Sequence, residues 1–230
     1  MSTLRNRLQT SEQHSTPASS TVEYLNNHFN LVREFHLADF LTLLNGTCGT
    51  GSIFASMSYL IENNTVYLWV AFWLIPLGTF FDFMDGRVAR WRKNSSLLGQ
   101  ELDSLADLIS FGVAPAVFGF TLGLRSVIDI CVLLYFVSCG IARLARYNAT
   151  VASLPKDESG KVKHFEGTPI PTTLLITGYL GYLVYVGDIQ TALPGGVASL
   201  ANTLTFHPLV LSYALSGTLM ISQSLKIPKI

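Results

Sequence analysis

Charge is what this chain has least of. Only 13% of its 230 residues are Asp, Glu, Lys or Arg, while 49% are hydrophobic; an average soluble domain carries about 25% charged residues. That balance excludes an ordinary water-soluble fold and points to a surface that meets lipid. Fifteen basic residues offset fifteen acidic ones, so no excess of positive charge is present to hold nucleic acid. Cysteine is scarce as well. Cys48, Cys131 and Cys139 fall in apolar stretches without CxxC or Cys/His spacing, which excludes a zinc site and a disulfide framework and leaves small buried hydrophobes. Residues 1–28 lack the apolar core of a signal peptide and are rich in Ser, Thr, Asn and Gln. They read as a flexible soluble tail ahead of a membrane domain over 29–230.

Long apolar runs are what the chain does have. A bilayer core about 30 Å thick takes roughly 17–25 apolar residues per helix, and six segments answer to that, near 39–61, 65–85, 101–122, 126–147, 169–187 and 204–223. The expected fold is an all-α integral membrane protein, a bundle of about six transmembrane helices. Ahead of it, LVREFHLADF is either an amphipathic helix lying in the interface, with Leu31, Phe35 and Leu37 toward lipid, or a plain extension of the first span. In the first span Gly46, Gly49 and Gly51 allow close backbone approach by a second helix. With six spans, every Lys and Arg except Arg125 falls on or toward the side that carries both termini. By the positive-inside rule that side is cytoplasmic.

The same side holds the densest polar cluster, FDFMDGRVARWRKNSSLLGQELDSLAD at 81–107. Asp82 and Asp85 are three residues apart, Asp103 and Asp107 four apart, so each pair shares one helix face. A short connection folds the two helices into a hairpin and brings four carboxylates together. Unneutralised, they would repel one another at a poorly solvating interface. Two divalent cations would cancel the charge, and an all-oxygen ligand set favours magnesium, manganese or calcium. Paired ions about 3.5–4 Å apart can clamp both the attacking and the leaving oxygen in phosphoryl transfer. Asp82, Asp85, Gly86 and Ala89 make one stripe and Gly99, Asp103, Ala106 and Asp107 another, so small residues leave room for a bulky ligand beside the acids. Arg90 and Ser96 can offer a guanidinium and a hydroxyl to phosphate, whereas Arg87, Arg92 and Lys93 suit headgroup anchoring. Two other readings compete: helix caps with salt bridges to Arg87, Arg90 and Arg92, and a cation-coupled transporter. Transport predicts a site near the bilayer midplane, whereas these acids lie at one edge.

The stretch matches DxxDGxxARx8GxxxDxxxD at every fixed position, and so resembles the signature of the CDP-alcohol phosphotransferases. The resemblance implies a membrane enzyme of about six helices, commonly a homodimer, that moves a substituted phosphate from a CDP-linked donor to an alcohol and releases CMP. It implies that Asp82, Asp85, Asp103 and Asp107 bind two divalent cations, Mg2+ or Mn2+. Asp107 also falls where the family places the base that takes the acceptor's proton, and Gly86, Arg90 and Ser96 fall at donor-binding positions. NGTC, Asn45, Gly46, Thr47 and Cys48, lies where members contact the nucleotide; by residue chemistry alone Asn45 serves equally as interhelical glue.

ELDSLADLISFGVAPA, GIARLARYN, HFEGTPIPTT and the tail SLKIPK resemble the membrane-embedded, fungal-type members that use L-serine. That implies CDP-diacylglycerol as donor, with phosphatidylserine and CMP as products, and residence in the endoplasmic reticulum. Inositol or glycerol 3-phosphate are the alternative acceptors. Arg143, Arg146 and Tyr147 share a helix face at i, i+3 and i+4, and guanidiniums suit the carboxylate of serine or a lipid phosphate. Anchoring at the headgroups is the plainer role for them. Phe165 and Glu166 border the expected serine pocket, while Gly167, Pro169 and Pro171 read as turn and helix-start residues.

Overall fold

The computed structural model describes residues 37–92, 97–153, 164–166, 168–200, 204–222 and 226–228. The expected tail over 1–28, most of the LVREFHLADF segment, Ser96, and the side chains of Ala89, Arg90 and Phe165 lie outside what is described.

The first helix, α1 (Leu37–Glu62), shows why the bundle belongs in lipid. Asp39, Thr42, Asn45, Gly49, Ser52, Ser56 and Tyr59 recur every three or four residues and are buried, whereas Phe40, Leu43, Phe54, Met57 and Ile61 point outward. In water the arrangement would be reversed. In lipid, apolar side chains gain nothing by leaving the solvent, and helices associate through close approach and interhelical hydrogen bonds. Ser52 makes one such bond, donating from Oγ to the Ala71 carbonyl at 2.8 Å.

Asn63, at φ 54°, ends α1 in the left-handed region, a conformation asparagine tolerates. Asn64 Oδ1 then accepts the Val66 N–H at 3.0 Å and so caps the start of α2 (Thr65–Arg92). After residues 93–96 come α3 (Leu97–Asp107), a π-helical turn (Leu108–Val113) and α4 (Ala114–Leu122), with no loop between them. Gly123 stops α4 at φ 137°. Ser126 opens α5 (Val127–Ser153) with a reciprocal cap: Asp129 N–H donates to Ser126 Oγ and Ser126 N–H to Asp129 Oδ2, both at 3.1 Å. Strand β1 (His164–Glu166) and a 3-10 turn (Ile170–Thr172) lead to α6 (Thr173–Val186). A short hairpin of β2 (Ala198–Leu200) and β3 (Leu204–Phe206) precedes α7 (Val210–Ile221). Strand β4 (Lys226–Pro228) pairs antiparallel with β1. Helix α7 packs on α5, where Phe136 and Tyr213 meet edge to face at 5.1 Å and the Tyr213 hydroxyl donates to the Pro115 carbonyl at 2.7 Å.

All six expected segments carry helix, with different bounds. Helix α2 runs to Arg92, past the expected end near 85. Thr65–Val88, Leu98–Leu122 and Val127–Ala149 are the stretches, among the described residues, long and apolar enough to cross a membrane. Helix α1 has the length, 26 residues or about 39 Å at 1.5 Å per residue, but its interior stripe is polar. Ile170–Val186 and Val210–Ile221 are shorter apolar helices. The expected span over 204–223 is corrected: its first residues are strand, and the helix begins only after His207 and Pro208. The reason is local. The fully buried Asp129 carboxylate takes the His207 N–H on Oδ1 at 2.9 Å and holds His207 Nδ1 at 2.6 Å on Oδ2, so the chain there is committed to a loop.

Candidate active site

Successive helices alternate in direction, so the start of α1, the end of α2, the start of α3 and the end of α5 meet at one end of the bundle. Three of the four expected acids converge there. One carboxylate oxygen each from Asp82, Asp85 and Asp103 lie within 4.8 Å of one another. Asp107 stands next to them, beside Asp82. Opposite oxygens around a six-coordinate ion with bonds of about 2.1 Å stand roughly 4.2 Å apart, so the spacing suits a small hard cation. Asp103 Oδ1 is buried and has no hydrogen-bond partner. A carboxylate oxygen buried without a donor calls for a counter-charge, and the residues therefore fit a divalent metal ion. Salt-bridge capping, the competing reading, gains nothing from Arg87, whose guanidinium sits over the Phe83 ring at 4.4 Å.

The acids are braced from α1. Thr42 Oγ1 lies 2.6 Å from Asp85 Oδ2, and one turn later Asn45 Nδ2 donates to Asp107 Oδ1 at 3.2 Å. The Asn45 carbonyl accepts in turn from Ser110 Oγ at 2.9 Å, and Ser110 stands in the π turn that follows Asp107. This close seat requires Gly49, where an added Cβ would fall 2.8 Å from Ser110 Cα and 2.9 Å from its nitrogen.

The other expected residues divide. A Cβ on Gly46 would lie 3.5 Å from Ala106 Cβ, on the turn that carries the acids, whereas a Cβ on Gly86 would meet nothing within 4 Å. Gly86 thus borders open space beside Asp85. Thr47 turns to the outer face and bonds the Leu43 carbonyl of its own helix at 2.8 Å. Cys48 is buried against Gly78, where a Cβ would lie 3.4 Å from its own. Arg143 is half-buried near Asp107 and Tyr147, and its Nε is buried without a partner. Arg146 reaches elsewhere, its Nη1 donating to the Ile221 carbonyl at the end of α7 at 3.4 Å. Tyr147 is partly exposed beside Arg143. The backbone of Phe165 pairs with Ile227 in the β1–β4 ladder.

Sequence reasoning missed Thr42 and Ser110, as well as a polar clasp between α3 and α5. There Ser104 Oγ donates to Asn148 Oδ1 at 3.1 Å and Asn148 Nδ2 to Glu101 Oε2 at 3.3 Å. Thr42 carried one signal, its place three residues before Asn45 on the same face.

Carboxylates gathered at one end of an apolar helical bundle suit a membrane-embedded transferase, and the relatives of the chain are of that class. The family model for CDP-alcohol phosphatidyltransferase matches residues 35–206, and the chain belongs to that family. It is 50% identical over 204 residues to the CDP-diacylglycerol–serine O-phosphatidyltransferase of Saccharomyces cerevisiae, covering 88% of this chain and 74% of the relative. The Bacillus subtilis protein of the same name is 34% identical over 134 residues, 57% of this chain and 67% of the relative. The archaetidylserine synthase of Methanothermobacter thermautotrophicus is 34% identical over 156 residues, 64% and 60%.

Proposed function

We propose that the protein is a phosphatidylserine synthase, moving the phosphatidyl group of CDP-diacylglycerol to the hydroxyl of L-serine with release of CMP. The yeast relative, half identical over most of the chain, carries this reading. On it, Asp82, Asp85, Asp103 and Asp107 would hold two divalent cations, Mg2+ or Mn2+, which would supply charge neutralisation for the diphosphate and for the departing CMP. The cytidine end of the donor lies along Gly86 and Ala89, with Asn45, Gly46, Arg90 and Ser96 as neighbours, and the acyl tails stay in lipid. Asp107, braced by Asn45, accepts the proton of the serine hydroxyl. The serine oxygen bonds to the lipid-linked phosphorus as the bond to CMP breaks. Arg143, with an unpartnered buried Nε close to Asp107, pairs with an anionic group of serine or the lipid; Tyr147 and Phe165 border the same pocket. A homodimer in the endoplasmic reticulum, with the site and both termini toward the cytoplasm, completes the proposal. The family resemblance supports the dimer and the location, and the distribution of basic residues supports the orientation.

One assay tests the chemistry. Purified protein with CDP-diacylglycerol and Mn2+ or Mg2+ is offered L-serine, inositol or glycerol 3-phosphate in turn, with CMP and the lipid product identified by mass. Phosphatidylserine and CMP are expected with serine alone. Turnover with inositol or glycerol 3-phosphate in place of serine overturns the acceptor, and no CMP under any condition overturns the reaction.

A further inference from the structure

We propose that Thr42, which belongs to none of the expected ligand sets, is a positioning residue that fixes the Asp85 carboxylate for metal binding. The inference rests on the metal-site reading above. A threonine hydroxyl inside a helix commonly bonds back to the carbonyl four residues earlier. Thr47, Thr50, Thr79 and Thr218 do this at 2.8, 2.9, 3.1 and 2.8 Å. Thr42 has the same contact available, to the Ala38 carbonyl at 3.1 Å, but makes a shorter one of 2.6 Å to Asp85 Oδ2 on the neighbouring helix. A hydroxyl has a single proton to give. The shorter distance is that of a charge-assisted O–H···O bond, so the proton goes to the carboxylate.

Both partners are withdrawn from solvent, Thr42 at 4% and Asp85 at 6% exposure, where a hydrogen bond also restrains rotation of the acid. With Oδ2 engaged, the carboxylate keeps one orientation toward Asp82 and Asp103. Asn45 repeats the device on Asp107. Two donors three residues apart on α1 thus address acids on two other helices, and the spacing of the ligand set is written into one face of a helix that carries none of the four proposed ligands. Partners of metal ligands typically change metal affinity by about 10–100-fold when removed.

The test uses metal alone. Thermal unfolding of the full-length protein in detergent is followed as MnCl2 is added without substrate, and the concentration giving half the stabilisation is read. Thr42→Val keeps the side-chain shape and loses the donor; its half-point is expected to rise about tenfold or more. Thr42→Ser restores the hydroxyl and should return to within about threefold of wild type. Ser138→Ala, which removes an outward hydroxyl bonded to the Leu134 carbonyl of its own helix, should titrate as wild type does. A Thr42→Val protein that titrates like wild type overturns the proposal. So does a Thr42→Ser protein as weak as Thr42→Val, since packing would then be the cause. If Thr42→Val does not survive purification, Thr42→Ala carries the same expectation. A wild-type protein that Mn2+ fails to stabilise removes the metal-site reading itself, a result distinct from the other two.

Discussion

At the scale of single residues, the sharpest expectation concerns charge without shape. Asn at position 107 can still accept from the Asn45 amide, which reaches Asp107 Oδ1 at 3.2 Å, but it can neither take a proton nor bring negative charge to the proposed metal site. Asp107→Asn should therefore lower CMP release by roughly 10²–10⁴-fold, the range of a lost general base, while the metal-free melting temperature stays within a few degrees. Activity within tenfold of wild type would remove Asp107 from its proposed role. The four aspartates were legible because helical spacing and a short turn are enough to bring them together. The division between Arg143 and Arg146 was not. Three residues differ by only about 60° around a helix, and which guanidinium turns toward Asp107 or toward the end of α7 depends on where α5 lies. Thr42 stayed hidden for a related reason, since its partner is 43 positions away.

At the scale of elements, the seat of α1 on the π turn decides how accurately Asn45 meets Asp107. Gly49 has no room for a side chain, with Ser110 backbone atoms 2.8 and 2.9 Å from where a Cβ would stand. Backbone cannot swing aside as a flexible side chain does. Gly49→Val should cost about 1–3 kcal/mol, lower the melting temperature by several degrees, and reduce turnover further than the stability loss explains, because Asn45 moves with the helix. Unchanged melting and turnover would show that the two elements separate freely. The three glycines in the first span announced a close contact, and the contact is there. The π turn itself was not announced: its residues, LISFGV, read as ordinary apolar helix, and the extra residue in its turn shows only once α1 is laid against it. The pairing of 198–200 with 204–206 escaped for the opposite reason, because LTF is short and mostly apolar, and the Asp129 carboxylate that holds the next residue, His207, comes from α5, 78 positions away.

At the scale of the whole molecule, lipid is the solvent that makes the rest consistent. Outward aromatic and aliphatic faces, inward Ser, Thr, Asn and Gly, and carboxylates at one end suit a protein that draws one substrate from the bilayer and the other from water. The proposed orientation can be read directly. In sealed vesicles with the cytoplasmic face outward, Arg92→Cys should react with a membrane-impermeant maleimide, whereas Asn64→Cys, at the opposite end of α2, should react only after the membrane is opened. The reverse pattern would invert the protein.

The polar interior of α1 also bears on the order in which the protein is assembled. A helix that buries Asp39, Thr42, Asn45, Ser52 and Ser56 on one side gains too little from lipid to hold a place there alone, as each of those groups needs a partner that hydrocarbon does not provide. The adjoining α2 follows after only two residues and supplies acceptors for two of them, at Ala71 and Asp85. The two helices are thus suited to enter the bilayer as one hairpin, and the Thr42–Asp85 contact, proposed above to align a metal ligand, would on that route also help to hold the first helix in the membrane.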